Sequence, residues 1–350
     1  MIDQPSSLRP GEAFSTEKLT AYLKDFFSFS EAIAVRQFPS GFSNLTYLIQ
    51  AGPEEFILRR PPLGANIKSA HDMAREYRVL VALKNAGYKN APEPVLLCED
   101  ETVIGATFYL MRRVAGVILR NRVPAGLTIS PATFQNISRA AIDQLAALHQ
   151  LDLEVSGLGQ MGKAEGYVAR QVEGWIKRYE NSETDTIDTL NEVAAWMKNH
   201  VPPAVDAAFI HNDFKYDNLV LDSNDLTRIV AVLDWEMATV GDRWMDLGTT
   251  LAYWAEAGDA DALKPFGLTW MAGNMTRAEV LNYYQEKAGR GIGNFTFYYA
   301  FGCYKVATIC QQIYHRYKKG ITQDPRFGAL IHLIRACGEN AKRAIDDNHL

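Results

Sequence analysis

Cysteine is scarce in this chain: there are four in 350 residues, Cys98, Cys303, Cys310 and Cys337. They are too few and too scattered for a disulfide scaffold, and none sits at a metal-ligand spacing. Cys303 and Cys310, seven apart on an expected helix, read as packing. No run approaches the roughly 18 consecutive apolar residues that a membrane span needs. Met1-Ile2-Asp3-Gln4-Pro5-Ser6-Ser7 lacks a basic region leading into an apolar core, so no secretory signal is expected. A reduced, cytoplasmic compartment is the expectation. Excess basic charge is also missing. The net charge is −5, and all of it lies beyond residue 113, because the first 113 residues hold 13 basic and 13 acidic side chains. Nucleic acid is therefore not expected as a partner, and neither is a membrane. Internal repeats and low-complexity tails are absent as well.

What is present is a globular composition, 47% hydrophobic and 22% charged, enough for one large core or two moderate ones. The first third reads as strands at Ala34–Phe38, Leu45–Ile49 and Glu55–Arg59, then a helix from Met73 to near Gly87. Two more strands follow at Pro94–Cys98 and Thr107–Met111. From Pro131 the period turns helical, with Ile137, Ala141, Leu145, Leu148 and Leu151 on one stripe. Two further amphipathic stretches lie between Tyr167 and His200. Short apolar runs at Ala208–Ile210, Leu219–Leu221 and Ile229–Leu233 read as buried strands, and helices continue to the end. The order predicts an α+β, two-lobed, protein-kinase-like fold. Its N-lobe (residues 1–113) is a five-stranded antiparallel sheet plus a helix, and its C-lobe (residues 114–350) is mainly helical with β-hairpins.

Those last three strands frame the most informative stretch, His211-Asn212-Asp213-Phe214-Lys215-Tyr216-Asp217-Asn218, with Asp234-Trp235-Glu236 beginning sixteen residues after Asn218. Phosphoryl transfer needs a base to orient the attacking hydroxyl and oxygen ligands to hold Mg²⁺ against a triphosphate. Asp-x-Lys-x-x-Asn matches the catalytic-loop spacing of protein kinases, where Asp is the base, Lys meets the γ-phosphate and Asn binds metal. In the first third, Phe38-Pro39-Ser40-Gly41-Phe42-Ser43-Asn44 sits where a loop over the phosphates belongs, with Ser43 and Asn44 as donors. Arg59 takes the usual place of the strand lysine. Alternation puts Ile57 and Arg59 on one face, toward adenine and phosphates, and Leu58 and Arg60 on the other. Glu76 is placed on the helix to aim Arg59. Met111 ends the fifth strand and packs on the adenine, and Arg112-Arg113-Val114 forms a hinge whose backbone, at Arg112 and Val114, reads the adenine edge.

Together these residues resemble the aminoglycoside phosphotransferase and choline kinase-like superfamily. More narrowly, they resemble the kinase-like domain associated with acyl-CoA dehydrogenases. The narrower resemblance rests on Phe56-Ile57-Leu58-Arg59-Arg60-Pro61-Pro62, Ser69-Ala70-His71, Arg75-Glu76-Tyr77-Arg78-Val79-Leu80, Leu96-Leu97-Cys98-Glu99-Asp100 and Val232-Leu233-Asp234-Trp235-Glu236. It covers roughly residues 20 to 340, so no dehydrogenase domain is expected on this chain, although such an enzyme is an expected metabolic neighbour. The resemblance implies that Asp213 is the catalytic base, that Asn218 and Asp234 ligate Mg²⁺, and that His211 supports the loop by hydrogen bonds. It also implies that Asp246 braces the loop from a helix start. Asn212 stands where relatives usually have glycine, and Lys215 where they commonly have His or Arg.

The expected activity is Mg²⁺-ATP-dependent phosphorylation of a hydroxyl on a small molecule, of hydroxyacyl-CoA or aminoglycoside-like type. A nucleotide-binding pseudokinase module and a protein kinase are the alternatives. No Asp-Phe-Gly occurs and no Ala-Pro-Glu follows Asp234, which argues against the protein kinase. Trp270, Tyr283, Tyr284, Phe295, Phe297, Tyr298, Tyr299, Phe301 and Tyr304 are candidates for an apolar acceptor pocket, with core packing of the C-terminal helices as their other role.

Overall fold

The computed structural model describes residues 5–29, 32–38, 44–62, 72–203 and 205–350. The chain groups into two compact units. The first comprises Met1–Val117, Val220–Asp225 and Val230–Glu236, and the second comprises Ile118–Leu219, Leu226–Ile229 and Met237–Leu350. A single boundary after residue 113 is a coarser division than this interleaved one.

In the first unit, α1 (Thr16–Leu23) is capped by Ser15, whose hydroxyl accepts from the amide of Lys18. Strands β1 (Ala34–Gln37), β2 (Leu45–Ala51) and β3 (Glu54–Arg60) precede α2 (Met73–Asn85), and β4 (Pro94–Cys98) and β5 (Phe108–Arg112) follow it. All five strands join one antiparallel sheet in the order β1-β2-β3-β5-β4. Tyr47, Phe56, Leu58, Phe108 and Leu110 are fully buried in its core.

One expectation needs correction here. Met111 does not end the fifth strand. Arg112 still pairs with Phe56, because its amide donates to the carbonyl of Glu93 and its guanidinium bonds Glu54 at 2.7 Å. Arg60 lies with Leu58 on the face of β3 opposite Arg59. It is 0% exposed, donates to Tyr47 Oη and the carbonyls of Ile104 and Glu12, and lies over the Phe14 ring. Those acceptors are what let a guanidinium stay inside an apolar core.

In the second unit, α3 (Pro131–His149) begins with a Ser130 cap and a proline in its first turn, where a missing N–H costs nothing. It buries Ile137, Ala141, Leu145 and Leu148 of the stripe read from the sequence, whereas Leu151 lies past the helix end and is half-buried. Helices α4 (Tyr167–Ser182) and α5 (Asp188–Asn199) precede strands β6 (Ala207–Ile210), β7 (Leu219–Leu221), β8 (Ile229–Val232) and β9 (Thr239–Asp242), of which β7 and β8 fall mostly in the segments that belong to the first unit. These strands form two small ribbons, β6 with β9 and β7 with β8. Helices α6 (Arg243–Tyr253), α7 (Arg277–Ala288), α8 (Thr296–Lys318) and α9 (Leu330–Asp347) complete the chain.

Every residue of α6 is buried. Glycine makes this possible where α6 meets α8. A β-carbon on Gly248 would collide with the backbone carbonyl of Tyr298, and one on Gly302 with the carbonyl of Gly248. The two helix backbones therefore touch, and this contact seats the helix that carries Asp246. Among the described residues, no helix is long and apolar enough to cross a membrane.

Candidate active site

In the first unit, strand alternation and one helix cap place the charged residues. Pairing of β3 with β2 and β5 sets Arg59 opposite Thr46 and Tyr109, two residues from Ile57, which is buried opposite Leu48 and Met111. Asp72 caps α2 by accepting from the amide of Arg75, which puts Glu76 in the first turn, where helix polarity favours a carboxylate. Arg59 Nη1 lies 2.8 Å from Glu76 Oε1, and both terminal nitrogens donate to Asp234 Oδ1 at 3.2 Å. Glu236 Oε2 is 3.6 Å from Arg59 and accepts from Asn44 Nδ2 at 2.9 Å. Arg75 donates to the carbonyl of Glu236 at 3.2 Å.

Burial works against the Arg59 charge, but Glu76, Tyr109, Asp234 and Glu236 outweigh it and raise its pKa well above the ordinary value. Burial pushes the Glu76 carboxyl up, and Arg59 pulls it partly back. Asp234 sits at φ 65°, a left-handed turn that few side chains other than Asn and Asp adopt. Next to it, Trp235 is buried, donates to the carbonyl of Val232 at 2.9 Å and packs edge-on against Tyr88. The structure thus brings Arg59, Glu76, Asp234 and Asn44 together. Met111 is 8% exposed, Arg112 closes β5, Val114 lies just beyond it half-buried, and Ser43 lies outside the described residues. Glu236 was missed by the sequence reading, although it is the third residue of a motif already singled out.

In the second unit, the loop after β6 is held by the start of α6. Asp242 caps α6, accepting from the amides of Trp244 and Met245. Four residues on, Asp246 is 0% exposed and accepts from the amides of His211 (2.8 Å) and Asn212 (2.7 Å) and from His149 Nε2 (3.0 Å). Burial lowers the pKa of His149, so the ring is neutral, with its proton on Nε2, and Nδ1 accepts from Tyr284 Oη at 2.7 Å. For Asp246, burial alone would raise the carboxyl. The His149 hydrogen bond and the His211 amide counter it, and the carboxyl stays below its usual range.

His211 is 0% exposed, and its Nδ1 accepts from the amide of Asp213 at 3.2 Å. Asp213 Oδ2 then receives two donors, Lys215 Nζ at 2.8 Å and Asn218 Nδ2 at 3.1 Å. Asn218 Nδ2 also donates to the Asp213 carbonyl at 2.8 Å, helped by a 3-10 turn at Tyr216–Asn218 that folds the amide back onto the loop. Lys215 Nζ lies 4.7 Å from the Tyr253 ring centroid. The loop therefore gathers Lys215 and Asn218 on the Asp213 carboxylate, with His211 on the Asp213 amide. His149 was missed, since nothing in the sequence distinguishes the last residue of a long helix.

The donor sets suit Mg²⁺. Asn218 spends its amide hydrogens on Asp213, which leaves its carbonyl oxygen as the atom that could meet a cation, and in the first unit Asp234 is a half-exposed carboxylate just past β8. No group of three or more His, Cys, Asp or Glu forms an all-protein metal cage among the described residues. Mg²⁺ commonly takes one or two protein oxygens and completes its shell with phosphates and water.

Of the nine aromatic candidates for an acceptor pocket, Tyr284, Phe295, Phe297, Tyr298, Tyr299, Phe301 and Tyr304 are buried in helix packing. Trp270 and Tyr283 stay half-exposed, each with a lysine over its ring. A cavity of about 380 Å³ bounded by Arg277, Tyr299, Arg343 and His349 contains none of the catalytic-loop residues.

Comparison with known proteins follows the same lines. A family model described as the phosphotransferase enzyme family matches residues 34–281. Acyl-CoA dehydrogenase family member 11 of Gallus gallus is 36% identical over 296 residues, which cover 83% of this chain and 37% of that protein. The chain spans under half the length of the curated relatives it matches. A Ralstonia eutropha protein, solved as a provisional aminoglycoside phosphotransferase, is 31% identical with a TM-score of 0.79, over 95% of this chain and 99% of that one. A spectinomycin phosphotransferase solved with ADP and spectinomycin shares the fold, with a TM-score of 0.62 at 11% identity over 95% and 100% of the two chains.

Proposed function

Because the chain belongs to the phosphotransferase enzyme family, we propose that it transfers the γ-phosphoryl group of ATP, with Mg²⁺, to a hydroxyl of a small molecule. The observation that carries this reading is the double grip on one oxygen of Asp213: Lys215 and Asn218 both hold Oδ2. We assign Oδ1 to the acceptor hydroxyl, on a carboxylate that the Tyr253 hydroxyl also approaches. Asp213 orients the hydroxyl and takes its proton late, since a loose transition state asks for positioning more than basicity. Lys215, beside it, offsets charge on the transferred group. Arg59, aimed by Glu76, neutralises the phosphates, and Asn44 with the neighbouring Ser43 donates to their oxygens. Ile57 and Met111 pack on the adenine, and the backbone of Arg112 and Val114 reads its edge. Asn218 and Asp234 would hold Mg²⁺, which would supply positive charge against the phosphates.

The proposed acceptor is a hydroxylated acyl-CoA-type metabolite. Identity to a protein named as an acyl-CoA dehydrogenase family member supports it, as does the lack of a dense carboxylate cluster in the sequence to receive a polycation. The test incubates the purified chain with Mg²⁺ and γ-labelled ATP or GTP, across panels of hydroxyacyl-CoAs and aminoglycosides. Transfer to a hydroxyacyl-CoA is expected, and Asp213→Ala should cut turnover about 10²–10⁴-fold while the ATP-induced thermal shift persists. Near-normal turnover by Asp213→Ala would overturn the assignment of the base. Nucleotide binding with no transfer on either panel would favour a pseudokinase.

A further inference from the structure

Lys305 stands on α8 in the run Tyr298-Tyr299-Ala300-Phe301-Gly302-Cys303-Tyr304-Lys305-Val306-Ala307, and it is 1% exposed. A buried ammonium is costly unless it is paired. Lys305 meets no carboxylate at ion-pair distance among the described residues. Instead, Nζ donates to the carbonyl oxygen of Asn212 at 2.7 Å and to its side-chain Oδ1 at 3.2 Å. The ammonium also lies over the Trp175 ring, 5.7 Å from its centroid. Burial lowers its pKa to about 8. Asp246 of α6 and Asp213 of the loop raise it, while Lys215 of the loop and Arg178 of α4 lower it. Packing alone does not explain an unpaired cation at this position, where an apolar side chain of similar length would avoid the desolvation.

Its partner is equally unusual. Asn212 has φ 68°, in the left-handed region, and immediately precedes Asp213. Its amide donates to Asp246 Oδ1 (2.7 Å), and its Nδ2 donates to the carbonyl of Met237 (3.0 Å) and to Tyr167 Oη (3.2 Å). With Lys305 on both oxygens, every polar atom of Asn212 is bonded. A glycine here could adopt the same φ but would lose the side-chain anchors.

We propose that Lys305 is a positioning residue, which fixes through the carbonyl and carboxamide of Asn212 the backbone turn that aims Asp213. This rests on the phosphotransferase reading above. The test compares the wild-type chain with Lys305→Met and Asn212→Gly, and uses Lys305→Gln should the Met variant fail to fold. Two readouts are taken: steady-state turnover with Mg²⁺-ATP, and amide hydrogen exchange of the segment 210–219. Lys305→Met should lower kcat at least tenfold with KM for ATP changed less than threefold. It should also speed exchange of 210–219 at least tenfold, with α9 unaltered, and Asn212→Gly should move both readouts the same way by less. Unaltered loop exchange, or a loosened loop with wild-type kcat, overturns the proposal. If the wild-type chain turns over no nucleotide at all, the phosphotransferase reading fails, and the loop exchange alone still decides whether Lys305 holds the turn.

Discussion

At pH 7 Lys305 carries a proton that burial disfavours, and this makes a thermodynamic prediction independent of any substrate. Its pKa in the fold is about 8, against 10.5 for an unperturbed lysine. Between these values the unfolded chain binds a proton that the folded chain has released. Stability must therefore rise with pH through that window and flatten below it, where both states hold the proton. Integrating the linkage from pH 7 to pH 9 gives a gain of about 1 kcal/mol from this one group. The absolute stability of Lys305→Met at pH 7 is not diagnostic. The substitution removes the desolvated charge, but it also leaves the Asn212 carbonyl without its donor, and these effects have opposite signs. The difference of differences is diagnostic, because other titrating groups are shared and cancel. Urea midpoints followed by circular dichroism, for wild type and Lys305→Met at pH 7 and pH 9, should show the wild type gaining about 1 kcal/mol more than the variant. Parallel pH dependence in the two proteins would refute the account of a buried, unpaired ammonium.

Three further perturbations test other parts of the structure. Gly248→Ala drives a β-carbon into the Tyr298 carbonyl and should destabilise by about 1–3 kcal/mol or more, whereas Gly258→Ala, with open space around it, should be near neutral by the same denaturation measurement. Asp246→Ala strips the acceptor from two buried amides and His149, so a loss of about 3 kcal/mol or more is expected; an unshifted midpoint would sink the bracing role. The Asp246 carboxyl is held below its unfolded value, so its stabilisation is present above that value and is lost as pH falls through the folded one; acid unfolding of wild type should therefore be steeper below about pH 4 than that of Asp246→Asn. Arg59→Met leaves Glu76 buried beside Asp234 and should cost about 3–5 kcal/mol, most of it recovered in the Arg59→Met/Glu76→Met double variant; strict additivity would rule out the pair.

The expectations from sequence that reached furthest were those in which local period and chemistry agreed. The α3 stripe follows from a 3.6-residue period, the three strands around the His211 loop from short apolar runs, and the five strands of the first unit from runs bounded by turn residues. Where packing decides instead, pattern reading loses the answer. Alternation puts Arg60 on the face opposite Arg59, but it does not foretell the Phe14 and Tyr47 rings and the two carbonyls that bury it there. Strand pairing carries β5 one residue past Met111, because Arg112 has a partner in Phe56 and a counter-charge in Glu54. His149 and Lys305 illustrate the same limit at the site. They act on the His211 loop through tertiary contacts with residues 97 and 93 positions away in sequence, a separation no local window spans. Lys305 nevertheless left a trace, as a lone lysine amid ten otherwise uncharged residues of a helix. A charge placed against its helix's own apolar pattern is a local conflict. Such conflicts survive where function needs them, and here it points at the residue beside Asp213.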